Sequence, residues 1–410
     1  MNLEKAHYEK GMTKGKSMNN SPSNCPVILQ TGFRIFFLGA AVYAVLSMAV
    51  WYLFFVAGWK VSVAIPVMVW HGHEMVFGFT MAIVAGFLLT AVTNWTGKPT
   101  LSGWPLLVLF LFWALARIFA FMPSSFPLWP MAFCDNVFLI FLTIAVMRPI
   151  IAVKQWKQSA VFSKLILIFL SGIAFYMALF NDNFENESKS LLFAIYMLVS
   201  LILTISRRVL PFFIERGVGY PVTLRNSMVL DMASLVLILA FAIIDVFFHY
   251  PLVVTVLCIL LVLVHALRLA GWYTPGIWKK PLLWVLFAGY GFLIIGFFLK
   301  AFAMLNPQMD DSALHAFTAG GIGIFTLGMM ARVSWGHTGR NIADVPPTLP
   351  IIFIPLVGSA VIRVFFPLLY VSRYVLWIGI SQVLWMTAFI LYLIFYFKIL
   401  ISPRPDEKWG

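Results

Sequence analysis

The stretch Trp70-His71-Gly72-His73-Glu74-Met75 puts two imidazoles, a carboxylate and a thioether at the mouth of a run that is otherwise apolar from Val76 to Val92. A second stretch answers it, from His315 through Arg332 to His337-Thr338-Gly339-Arg340. Imidazole suits iron, copper and zinc. Ionisable groups within a membrane helix are costly and usually functional. His71, His73, His315 and His337 are therefore candidate metal ligands, and His265, inside another apolar run, is a fifth. Met75 would add a soft ligand for copper. A haem with axial histidine at this depth would want arginines near its propionates, and Arg117 and Arg363 could supply them.

The composition shows what must position these residues. Of 410 residues, 62% are hydrophobic and only 10% charged, against about 25% charged in a soluble domain. Lipid is the solvent such a surface needs. The net charge of +13 then marks a membrane face and gives no reason to expect nucleic acid as a partner. Cys25, Cys134 and Cys258 are far apart and form no CxxC pair, so neither a disulfide framework nor a zinc site is implied.

About 20 apolar residues cross a bilayer. Runs of that kind lie at 34–58, 66–93, 104–122, 128–147, 161–180, 191–206, 228–248, 251–270, 282–304, 313–333, 349–370 and 374–400. The expected fold is an all-α polytopic membrane protein of about twelve transmembrane helices, with ten or eleven as the alternative. Residues 1–32 read as a disordered cytoplasmic tail, 33–400 as one transmembrane domain and 401–410 as a second cytoplasmic tail. The first apolar run is too long for a signal peptide. With both termini inside, all but Lys60, Arg117, Lys189, Lys300, Arg363 and Arg373 of the 28 lysines and arginines fall on the cytoplasmic side, as the positive-inside rule requires. No Walker loop, GxGxxG turn or Ser–His–Asp pattern occurs, no catalytic residue is assigned, and no defined turnover is expected of the chain.

This topology places His71, His73, Glu74, His315, Arg117, Asp135 and Arg363 at one outer depth. The alternative is that the histidines are merely hydrogen-bonded at the interface. On a regular helix His71 and His73 differ by about 200° and face opposite ways. His71 would share a face with Glu74 and Met75, and His73 one with Phe77 and Thr80. His337 lies roughly 33 Å further along a continuous helix than His315, so the two cannot share a metal. On the inner side, His337 and Arg340 are expected to join His265, Arg268 and Arg207-Arg208 as a second metal site, an anion pocket or contacts to lipid headgroups. Gly320, Gly321, Gly323 and Gly328 either let helices approach closely or make room for a flat macrocycle. A twelve-helix secondary transporter of an anion or metal complex is the rival reading; neither an internal repeat nor a pair of helices broken at mid-bilayer supports it.

Trp70-His71-Gly72-His73-Glu74-Met75-Val76-Phe77-Gly78-Phe79, followed by Gly86-Phe87-Leu88-Leu89-Thr90-Ala91 and Asn94-Trp95-Thr96-Gly97, resembles the signature of the NnrS family. Phe33-Arg34-Ile35-Phe36-Phe37-Leu38-Gly39, Arg207-Arg208 with Pro211-Phe212-Phe213, and the stretch from His315 to Arg340 resemble its other motifs. The resemblance runs from about residue 30 to 400. It implies a bacterial inner-membrane protein that contains haem and copper and takes part in the response to nitric oxide and nitrosative stress, often alongside denitrification. It implies metal ligation by His71, His73, His315 and His337, with Glu74 supporting them and His265 matched less firmly. Nitric oxide is the small-molecule partner it implies.

Overall fold

The computed structural model describes residues 25–248 and 250–410. Most of the expected N-terminal tail, His7 and His249 lie outside the described residues. Among the described residues there are 12 helices and no strand, and 11 of the helices are long and apolar enough to cross a membrane. In chain order they are α1 (Gly32–Phe55), α2 (Val67–Thr96), α3 (Trp104–Ala120), α4 (Trp129–Ala152), α5 (Ser159–Phe180), α6 (Phe184–Gly217), α7 (Met228–Phe248), α8 (Pro251–Gly271), α9 (Pro281–Ala301), α10 (Gln308–His337), α11 (Pro350–Leu369) and α12 (Tyr374–Ile401). The shortest, α3, has 17 residues, at the lower limit of about 17 for a spanning helix.

Contacts at the two ends give the alternation. On the face of the termini, Gly103 at the start of α3 donates to the Leu29 carbonyl before α1 at 2.8 Å. On the opposite face, the Trp70 indole at the start of α2 donates to the Ala120 carbonyl at the end of α3 at 2.9 Å. Two helices outrun their apolar stretches. α6 covers Phe184–Gly217 where the apolar run is 191–206, and α10 covers Gln308–His337 where it is 313–333. Hydropathy marks only the part of a helix that lies in hydrocarbon. Helical hydrogen bonding continues through the polar ends, and for α6 it starts where the Asn183 side chain accepts from Asn186 N at 3.1 Å.

Three of the helices contain wide, π-helical turns: Glu74–Thr80 in α2, Ala316–Ile324 in α10 and Ile244–Phe248 in α7. Such turns replace i→i−4 bonds by i→i−5 and concentrate at functional sites. In α2 and α10 they begin directly after His71-Gly72-His73 and after His315. The glycines of α10 serve packing and do not make room for a macrocycle. A Cβ on Gly320, Gly321 or Gly328 would come under 3.0 Å from Phe292, Leu293 or Leu286 of α9, and one on Gly323 would meet Trp385 of α12.

The terminal segments are built into the fold. Val27–Leu29, within the stretch expected as tail, forms a 3₁₀ turn with Leu29 buried. Residues 401–410 fold back over the start of α1. Arg34 is fully buried; its Nη1 donates to the carbonyls of Leu400 at 2.8 Å and Ser402 at 2.9 Å, and its Nη2 to Gly410 O at 3.1 Å. The Leu400 and Ser402 carbonyls are ones that the end of α12 leaves without helical partners. Arg404 in the same turn holds the Asp406 carboxyl down at about 2 through its side-chain hydrogen bonds. Arg34→Met is expected to cost about 1.5–3 kcal/mol, the range for a lost charge-assisted hydrogen bond. Thermal unfolding in detergent reads this, and the same substitution in a chain ending at Ser402 should cost less, because one of its acceptors is already gone.

Candidate metal centre

The outer half of α2 presents two different environments on its two faces. One face is dry and ionic. Arg117 of α3 reaches across with Nη1 2.6 Å from Glu74 Oε2, while its Nη2 bonds Asp135 of α4. Tyr43 of α1 donates to Glu74. His73 Nδ1 lies 2.7 Å from Glu74 Oε1, and its Nε2 lies 3.1 Å from the Tyr176 hydroxyl of α5, which donates to Asp135 Oδ2 at 2.5 Å. Glu74, Asp135, Arg117 and His73 are all buried. Gly78 is what lets the guanidinium pass: a Cβ there would sit 2.6 Å from the Tyr43 ring and 2.8 Å from Arg117 Nη1.

The other face of α2 borders a cavity of about 360 Å³ lined by α1, α2, α6, α10, α11 and α12, within the 300–1,000 Å³ range of cofactor and small-molecule pockets. His71 and His315 both line it, with Arg363, Met75 and two methionines that the sequence motifs did not single out, Met48 and Met68. The His71 ring stacks on Trp51 at 4.4 Å with 4° between the planes. His71 Nδ1 is buried and has no hydrogen-bond partner. His315 Nδ1 lies 2.8 Å from the Asp311 carbonyl, the contact that fixes the N–H on Nδ1 and leaves Nε2 with its lone pair. Deeper in the cavity, both amide atoms of Gln382 and the Trp385 indole nitrogen are also buried without partners. Buried polar atoms are almost always satisfied in a protein, so this group of orphans around one cavity is what a site built for a polar or metal-bearing occupant looks like.

Among the described residues, no three His, Cys, Asp or Glu side chains converge as a metal-holding group. The donor set here is two imidazoles with thioethers. That fits a haem, which takes one or two axial protein ligands, and it fits copper, which accepts imidazole and thioether.

The structure divides the expected site residues. His71, His315, Met75 and Arg363 come together. His73 does not join them: both its ring nitrogens are engaged in the ionic cluster. Glu74, expected on the face of His71, turns to His73, Tyr43 and Arg117. Arg117, expected near propionates, is committed to Glu74 and to Asp135, which was expected at the same depth. Thr80 lines the cavity beside His71, although a regular helix would put it with His73, because the π turn rotates everything after it. Phe77 does stay with His73, its ring 5.0 Å away.

On the terminal face, His265 is also fully engaged, with Nδ1 2.6 Å from the Tyr290 hydroxyl and Nε2 3.3 Å from Ser234 Oγ. Arg268, bonded to Asp231 at 2.8 Å, belongs to the same cluster, and Arg207 reaches Asp231 at 3.4 Å. His337 is elsewhere: its ring packs 6.0 Å from Phe33 and its carbonyl accepts from Arg404 at 2.8 Å. Arg340 bonds Thr338 Oγ1 at 2.7 Å. Among the described residues, no contact joins the His337 and His265 groups into the expected second site. Sequence reasoning missed Trp51, Tyr43, Tyr176, Gln382 and Trp385. Only Gln382 carried a signal, as a lone amide inside the apolar run 374–400.

A family model described as NnrS protein matches residues 27–404. The chain belongs to the NnrS family. No curated protein matches it. The matched NnrS region holds all five histidines placed above and the whole helical bundle, and it ends at Arg404, the residue bonded to the His337 carbonyl.

Arg117→Met strands two buried carboxylates and is expected to cost about 3–5 kcal/mol or to prevent accumulation. Adding Glu74→Gln and Asp135→Asn to it should recover most of the loss, because no buried charge is then left unpaired. Expression level and thermal unfolding in detergent are the readouts. Gly78→Ala should be destabilising by the same route.

Proposed function

We propose that this NnrS-family protein binds haem and copper and acts in the response to nitric oxide and nitrosative stress in a bacterial inner membrane. The observation that carries the reading is the meeting of His71 and His315, from helices far apart in the chain, across one cavity with nitrogens left for a metal. His71 and His315 would hold the metal, Met75 would add the soft donor that suits copper, and the Arg363 guanidinium would balance negative charge on the cofactor. A ferrous haem bound here would supply the affinity for a diatomic gas. The chain's own residues do the rest. The Trp51 face holds the His71 ring in one plane, and the Asp311 carbonyl fixes the tautomer of His315. The largely apolar cavity wall disfavours water, and nitric oxide, being neutral and lipid-soluble, needs no charged path to reach it.

The bias of lysine and arginine toward the face of the termini favours both termini in the cytoplasm, which puts this cavity in the outer leaflet. His73 and the ionic cluster then act as a rigid wall that holds the rotation of α2.

The test is an optical spectrum of the detergent-purified protein, oxidised and dithionite-reduced, with and without nitric oxide, alongside elemental analysis for iron and copper. A Soret band that shifts on reduction and again with nitric oxide is expected. His71→Ala and His315→Ala should each lose most of the bound metal, whereas His265→Ala should keep it per folded molecule. Full iron and copper content in both His71→Ala and His315→Ala would sink the assignment, and a colourless, metal-free protein from haem-replete cells would favour the transporter instead.

A further inference from the structure

A second, smaller chamber lies next to the cavity. It has a volume of about 40 Å³ and is formed by α2, α6 and α10. Thr80 belongs to the walls of both spaces. The chamber's walls are aliphatic and aromatic apart from Thr80 and Thr326. Both hydroxyls are already used: Thr80 Oγ1 donates to the Met75 carbonyl at 2.7 Å and Thr326 Oγ1 to the Gly323 carbonyl at 3.1 Å. Met75 and Gly323 belong to the two π-helical segments of α2 and α10. Each threonine hydroxyl is thus bonded within its own helix, and only apolar surface faces the chamber.

Room alone would admit water, since about 10–15 Å³ holds one molecule, but a buried water also needs two to four polar partners. None faces this chamber. Apolar cavities of this kind stay dry and take small apolar molecules such as xenon. We propose that the chamber is a binding site for a small uncharged gas molecule, opening at Thr80 onto the His71–His315 cavity. It would hold such a molecule between the bilayer and the cavity. Only the identity of the gas as nitric oxide rests on the cofactor reading above; the chamber's selectivity for small apolar molecules does not.

Xenon is the probe. Crystals of the full chain pressurised with xenon should show one xenon atom among Thr80, Leu198, Ile202 and Met329. Ile202→Phe, which fills the chamber, should remove that atom, leave the metal content and Soret band unchanged, and slow nitric oxide binding several-fold. Ordered water in the chamber, or no xenon there at a pressure that fills other sites in the same crystal, would overturn the proposal. The wild-type measurement decides it without any variant. Xenon in the chamber of a metal-free protein would leave the chamber standing and remove the cofactor reading; an empty chamber beside an intact haem would do the reverse.

Discussion

One guanidinium shared by two buried carboxylates sets the outer half of this protein. Arg117 ties α3 to α2 through Glu74 and to α4 through Asp135, and tyrosines from α1 and α5 take up the remaining acceptor positions. In a low-dielectric interior none of these charges can be left alone. Each must find its partner, and so the rotation and depth of five helices are fixed together. The cluster forms only because Gly78 keeps a side chain out of the path of the guanidinium.

That constraint decides which way the two histidines of α2 face. Once Glu74 and His73 are drawn into the cluster, His71 is carried round to the far side of the helix, where it meets Trp51 and the cavity. The same helix thus has a closed, fully hydrogen-bonded face and an open face with orphaned polar atoms. The orphans are a cost, and a fold tolerates such a cost where an occupant removes it. His71, His315, Gln382 and Trp385 lie along that open face, on elements that the ionic cluster and the α9–α10 packing hold still.

The wide turns of α2 and α10 act at a second level. Each follows a cavity histidine, and each changes which residues stack beneath it. Thr80 passes from the face of His73 to the face of His71, and carbonyls within the turns take the hydroxyls of Thr80 and Thr326. The cavity next to the histidines and the apolar chamber below it therefore come from the same local departure from α-helical pitch.

Much of this could be read from the chain alone. Apolar runs of spanning length, separated by basic loops, determine a helical membrane bundle, because lipid forces every backbone group into an internal hydrogen bond. The topology put His71, His315, Arg117, Asp135 and Arg363 at one depth, and the motifs around His71 and His315 pointed to the family. Depth follows from counting residues along a helix. Rotation does not. A regular pitch assigned Glu74 to His71 and Thr80 to His73, and both assignments reversed, because a π turn leaves no reliable mark in composition. The same limit hid Trp51, Tyr43 and Tyr176, which look like any apolar or aromatic residue until the helices that carry them meet. The sequence by itself determined the helices, their order and the chemical groups available at each depth. Only the tertiary structure decided which of those groups pair off and which are left facing a cavity, because that choice depends on helix rotation, and rotation is set by contacts between segments distant in the chain.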